Sequence, residues 1–288
     1  MTAVLALTTS LMWGLADFGG GLLTRRMSAL TVVVASQTLA TVVLGALVLA
    51  TGSWSEWGPQ LWFAVAAGVV GPVAMLAFYR ALAQGPMGVV SPLASLAVLV
   101  PVGAGLALGA RPGWLQGAGL LIALTGVVLA GGPELRGEPV QRRTLALTLV
   151  AAFGFGAVLA LIEHASTNLA GLFLALFVQR VCNVAIGGAA LLAQARRDTP
   201  TLPQEGRPAL LAALPALAFV GLADVAANGT YMVAAQTGPV MVAAVLASLY
   251  PLVTALAARG FLQERLRGVQ AVGAGVALAG SILLGTAG

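Results

Sequence analysis

Three ionisable residues of this chain lie where ionisable residues are expensive. Asp17, Arg180 and Asp224 each fall well inside a long apolar run. A charge at the centre of a bilayer costs roughly 2.5–3.5 kcal/mol on insertion scales, so each should face protein or a wet cavity. Asp224, Asn228 and Tyr231 stand at i, i+4 and i+7, one face of a helix. Ser10, Trp13 and Asp17 form a similar stripe. An indole N–H beside a carboxylate can bind an amine or a planar molecule. Equally, such stripes can be hydrogen-bond seams between helices, with Trp13 as packing. Gln179 and Asn183 share a further face, with Arg180 turned about 100° away. Arg180 has two readings. Its guanidinium can grip a substrate carboxylate in bidentate fashion, or it can pair with Asp17 or Asp224 and lower the burial cost of both. Asp17 and Asp224 are also candidate proton sites. Glu163 and the lone histidine, His164, close another run. They could titrate, but a pair at a helix end is ordinarily solvated.

The elements that must position these residues follow from composition. The chain is 59% hydrophobic and 8% charged, against roughly 25% charged in a soluble domain. Such a surface cannot face water, and the class is integral membrane protein. A bilayer core takes about 20 apolar residues as helix. Ten such runs are legible, near 3–24, 29–51, 60–83, 86–109, 113–132, 144–163, 168–194, 208–235, 238–260 and 267–286. A β-barrel would need alternating strands of about 10 residues, and these runs are uninterrupted. The N-terminus lacks the basic start of a cleaved signal peptide and reads as the first span. The basic residues are all arginine, and apart from Arg180 they sit in or beside the connectors. Arg25, Arg26, Arg80, Arg136, Arg142, Arg143, Arg196, Arg197, Arg207, Arg259, Arg265 and Arg267 lie on one side, and Arg111 alone on the other. The positive-inside rule places the arginine side in the cytoplasm and both termini outside. The net charge of +5 therefore speaks of topology and not of nucleic acid.

The chain also repeats itself. Gly85-Pro86 matches Gly238-Pro239, and Leu93-Ala94-Ser95-Leu96 matches Leu246-Ala247-Ser248-Leu249, both at an offset of 153. The run from Leu115 matches the run from Val269 at 154. Upstream, Trp13-Gly14 lies over Phe155-Gly156 and Gln37 over Gln179. Two halves of five spans result, residues 1–132 and 144–288, joined by a cytoplasmic linker at 133–143. Five is odd, so the second half enters the membrane from the opposite side. Inverted repeats of this kind mark secondary transporters, with the substrate near the midplane between the halves. The expected fold is all-α: ten transmembrane helices in two inverted five-helix repeats around a central cavity. The cavity residues expected are Trp13, Asp17, Gln37, Tyr79, Gln179, Arg180, Asn183, Asp224, Asn228, Tyr231 and Ser248. Pro101 and Pro251, matched after a three-residue slip, fall inside spans 4 and 9. There a proline removes a backbone hydrogen bond and kinks the helix, so both spans are expected to bend as gates. Ala271, Gly275 and Ala279 are spaced for close helix contact, which suits a scaffold or dimer surface.

On Trp13-Gly14, on the block from Ala247 to Gly285 and on its weaker copy at 94–131, the sequence resembles the drug/metabolite transporter superfamily, of the ten-helix EamA type. The resemblance spans essentially the whole chain. It implies a bundle of two inverted five-helix repeats that moves small metabolites, often amino acids, commonly outward, in a bacterial-type inner membrane. One departure stands out: Glu264-Arg265 after the ninth span faces Ala110-Arg111 in the first half. A symmetric role for that glutamate is not implied, and a helix-end cap or local salt bridge suits it.

Other classes fit less well. One histidine leaves no H-E-x-x-H zinc site, and neither a P-loop nor a G-x-S-x-G elbow occurs. No ring of repeated charges suggests a channel. No enzyme activity, cofactor or metal is expected. The expected partners are a small-molecule substrate and the lipid bilayer, with no nucleic acid, for a monomer or homodimer. Two transport readings stand: export of amino acids or similar polar metabolites, and proton-coupled export of hydrophobic cations or drugs.

Overall fold

The computed structural model describes residues 2–100, 113–131, 140–166, 168–197, 206–237, 246–247, 249–263 and 268–286. Ten α-helices occur among the described residues. They are α1 Thr2–Thr24, α2 Ala29–Thr51, α3 Leu61–Gln84, α4 Met87–Ala94, α5 Trp114–Gly131, α6 Arg142–Ala165, α7 Leu169–Ala195, α8 Arg207–Thr237, α9 Tyr250–Leu262 and α10 Gly268–Thr286. Six of them, α1, α2, α3, α6, α7 and α8, are long and apolar enough to cross a bilayer. Three shorter apolar helical stretches accompany them, Met87–Ala97, Gly117–Gly126 and Ala271–Gly280. Local signals set several boundaries. Ser28 caps α2 by accepting from the Thr31 N–H at 3.1 Å, and Asn168 caps α7 by accepting from the Gly171 N–H at 2.6 Å. Gly52 ends α2 at φ 69°, a left-handed position that glycine fills without strain.

Large apolar side chains point outward along the bundle. Val42, Leu49, Val69, Leu121, Phe153, Leu211 and Val272 are all exposed. In water this surface would be a liability; in lipid it is the wetted face. The chain is a multi-pass membrane protein. The described arginines other than Arg180 gather at one end of the bundle, where α1, α3, α7 and α9 finish and α6 and α8 begin.

Contacts between the two halves recur in matched pairs at the offsets of the repeat. Gly14 on α1 lies against the Tyr250 carbonyl and Val253. Its equivalent, Gly156 on α6, lies against the Ala97 carbonyl and Val100. Gly68 on α3 meets Cys182 on α7, and its equivalent Gly221 on α8 meets Ala40 on α2. The helices α5 and α10 pack on each other through Gly126 against Ala277 and Gly280 against Ala123. Each glycine brings two backbones within reach of dispersion forces, which drive helix association in lipid. The scaffold reading of α5 and α10 has its contact here, although Ala271, Gly275 and Ala279 themselves face outward.

Irregular backbone occurs at two places among the described residues of spans 4 and 9. After Ala94, α4 tightens into a 3₁₀ turn over Ser95–Val98. Pro251 sits in the first turn of α9, not in the middle of a kinked helix. A proline there gives up no needed N–H. The chain does break, but just before it, at Leu249. Pro101 lies outside the described residues.

Candidate substrate cavity

A cavity of about 210 Å³ opens between the halves. It takes residues from α1, α2, α3, α6, α7, α8 and α9, and Ala97 from the 3₁₀ turn after α4. Many of its residues come as repeat equivalents: Trp13 with Phe155, Asp17 with Leu159, Gln37 with Gln179, Gly71 with Asp224, Met75 with Asn228, and Ala97 with Tyr250. The frame is common to both halves, but the chemistry is not. Asp17 faces Leu159, and Asp224 faces a bare glycine.

The polar floor is built around Arg180. Its Nη2 donates to Asp224 Oδ2 at 2.5 Å, an ion pair between α7 and α8. Its Nη1 donates to Gln37 Oε1 at 2.5 Å, reaching α2. Asn228 steadies the acceptor: its Nδ2 donates to the Asp224 carbonyl at 2.7 Å and lies 3.4 Å from Oδ1. The Asn183 amide fills the gap between Gln37 and the carbonyls of Gly68 and Gln179. Turned with its nitrogen toward those carbonyls, it donates at 3.0 and 3.3 Å. Gln37, Gln179, Arg180 and Asn183 are all buried. Such buried polar groups hold their places only when paired. Of the two sequence readings of Arg180, the internal ion pair is present, and its partner is Asp224. One donor remains: Arg180 Nε is buried with no partner among the described residues.

Asp17 differs from Asp224. Half-buried on the cavity wall, it makes no hydrogen bond or ion pair among the described residues. Aromatic rings surround the space beside it. Trp13 packs edge-on to Tyr250 at 5.9 Å between centroids and tilts against Tyr231 at 6.0 Å. Phe78, Tyr79 and Phe155 also line the cavity. The helix carrying Asp17 is fixed by Thr254 Oγ1, which donates to the Gly14 carbonyl at 3.0 Å, and by the Thr9–Thr230 hydroxyl contact at 2.9 Å.

The structure thus brings nine expected residues to one cavity: Trp13, Asp17, Gln37, Tyr79, Gln179, Arg180, Asn183, Asp224 and Asn228. Tyr231 stands behind the wall, stacked on Trp13, instead of lining it. Ser248 lies outside the described residues, as does Glu264. His164 is exposed at the far end of α6, with Nδ1 2.8 Å from the Ala160 carbonyl and its ring 5.6 Å from Phe63. It is no part of the cavity. Sequence reasoning missed Tyr250, Phe155 and Phe78. The repeat held the signal for two of them: Phe155 is the counterpart of Trp13, and Tyr250 follows the repeated Leu-Ala-Ser-Leu.

A helical membrane bundle with a polar, charge-bearing cavity between matched halves is the architecture of a small-molecule transporter. The model of the EamA-like transporter family matches residues 1–132 and 142–286. The chain belongs to this family, within the drug/metabolite transporter superfamily. No curated protein matches it. Among solved structures, a crystal structure of a protein with 16% identity aligns over 98% of this chain and 96% of its own, at a TM-score of 0.60. At that identity the likeness speaks for the fold alone.

Proposed function

We propose that this transporter carries small ammonium-bearing metabolites, amino acids first among them, out of the cell. It would do so as a secondary carrier of two inverted five-helix repeats, in a bacterial-type inner membrane. One observation carries the cargo reading: the unpaired Asp17 on an aromatic-lined wall, across a cavity from a guanidinium that keeps one free donor. A carboxylate left without a partner in a bundle of this kind costs energy that an ammonium group recovers on binding. The Trp13 and Tyr250 faces add attraction for the same cation. The Arg180 guanidinium, also on the cavity lining, supplies the positive charge for the carboxylate of a zwitterion. The 3₁₀ turn after α4 and the break before α9 are the points at which those helices would bend, since a mid-helix 3₁₀ stretch often marks a hinge.

A second reading rests on charge balance. Asp17 and Asp224 against Arg180 leave the cavity one negative charge in excess, which suits a hydrophobic monocation exchanged for protons on Asp17 or Asp224. Flux from liposomes separates the two. With the first reading, radiolabelled neutral amino acids move without a pH gradient. Asp17→Asn then slows them at least tenfold while the protein still inserts and purifies as before. Flux of quaternary ammonium alone, driven only by a pH gradient, would overturn the amino acid reading and establish the second.

A further inference from the structure

The lining contributed by the first helix of each half is not symmetric, and one pair of positions makes the difference. Along α1 and α6 the repeat equivalents Trp13 and Phe155, then Asp17 and Leu159, all line the cavity. One turn further the correspondence fails. Ile162 on α6 still lines the cavity, but its equivalent on α1, Gly20, does not. The tip of the Tyr79 ring covers it: a β-carbon at position 20 would lie 2.5 Å from Tyr79 Cζ and 2.6 Å from its hydroxyl oxygen. Any side chain at position 20 would push the ring tip from that seat.

The packing continues below. Gly21 lies against Met87 and Leu82, and Thr24 Oγ1 donates to the Tyr79 carbonyl at 3.3 Å. Tyr79, Leu82 and Met87 belong to a large buried cluster with Phe18, Val33 and Val90. Because α1 runs on to Arg25 and Arg26, this packed layer lies between the cavity and the arginine-rich end.

We propose that Tyr79 seated on Gly20 is the seal that closes the cavity toward the arginine-rich end, and that the glycine/isoleucine difference at positions 20 and 162 sets which end is closed at rest. Position 162 instead carries a branched side chain that lines the cavity, and Met232, the counterpart of Tyr79, packs with it against the cluster of Leu44, Leu172 and Leu176 and has no glycine to seat on. The seal rests on the cavity being the route of transport but not on the identity of the cargo.

Thiol labelling from each side of oriented vesicles tests it. The natural cysteine is removed (Cys182→Ser), and Val158→Cys supplies a reporter on the cavity wall. A membrane-impermeant maleimide is expected to react from the arginine-poor side, and at least tenfold more slowly from the arginine-rich side. Gly20→Ile unseats the ring and raises the rate from the arginine-rich side at least tenfold. Ile162→Gly lowers the rate from the other side. Tyr79→Phe keeps the parent pattern, because the ring and not the hydroxyl forms the seal. Should Gly20→Ile fail to fold, Tyr79→Ala carries the same expectation. Equal rates from both sides in the reporter protein overturn the proposal, as does an arginine-side rate unmoved by unseating the ring. Because labelling needs no cargo, a wrong cargo leaves the result intact, and a failed seal leaves the cargo reading standing.

Discussion

At the scale of single residues, Arg180 and Asp224 hold each other in place at a cost that neither meets alone. The Arg180 side chain is 6% exposed and that of Asp224 25%. Removing one partner leaves a charge stranded away from water, worth about 3 kcal/mol or more, whereas removing both together can be nearly neutral. A thermal-unfolding cycle in detergent reads this directly. Arg180→Met and Asp224→Leu are each expected to lower the melting temperature by several degrees. The double variant should lose clearly less than the two single losses combined, because the residues touch and are not independent. The three buried charges were legible as such, since an aspartate or arginine within an apolar run stands out against any membrane span. Their pairing was not. Asp17 and Asp224 are equivalent as letters, and only the geometry of α7 against α8 decides which one meets the guanidinium.

Among the elements, the closest approaches are made where side chains are absent. A β-carbon at Gly126 would run into the Ala277 backbone, and one at Gly280 into the Ala123 backbone. Backbone cannot step aside as a flexible side chain can. Gly126→Val or Gly280→Val is therefore expected to destabilise by about 1–3 kcal/mol, the usual cost of overpacking. Gly275→Val, which meets open space, should stay within about 0.5 kcal/mol. Melting curves of the three variants compare them. The six long apolar helices were readable from apolar length alone. The break at Leu249 falls within four residues before Pro251, where proline chemistry pointed. The 3₁₀ turn at Ser95–Val98 was not foreseen; Pro92 stands inside α4 just ahead of it, and the Ala97 carbonyl within it lies against Gly156.

Over the whole molecule, charge and aromatic residues are sorted to opposite ends. The described arginines outside Arg180 lie at one end. Trp54, Trp57 and Trp62, all exposed, lie in the α2–α3 region at the other, and exposed Trp114 begins α5. Tryptophan favours the headgroup layer, and arginine the cytoplasmic side. Epitope tags placed at the N- and C-termini are expected to react with antibody in intact spheroplasts. A tag in the 133–143 linker is expected to react only after permeabilisation. A terminal tag hidden in intact cells would reverse the assigned orientation. The arginine bias of the connectors made this sorting legible in the sequence.

The bare glycine opposite Asp224, and the leucine opposite Asp17, have a consequence for how cargo lies. A cavity flanked by two identical halves would hold any molecule equally well in two opposed poses, and its head-to-tail sense would not be distinguished. Here the frame is shared but the corners differ: a lone carboxylate at Asp17, an occupied guanidinium at Arg180, and aromatic rings from Trp13 and Tyr250. On the proposed reading, three unlike points of attachment would hold the cargo in one pose. A carrier built this way should present its cargo head-first in one sense only.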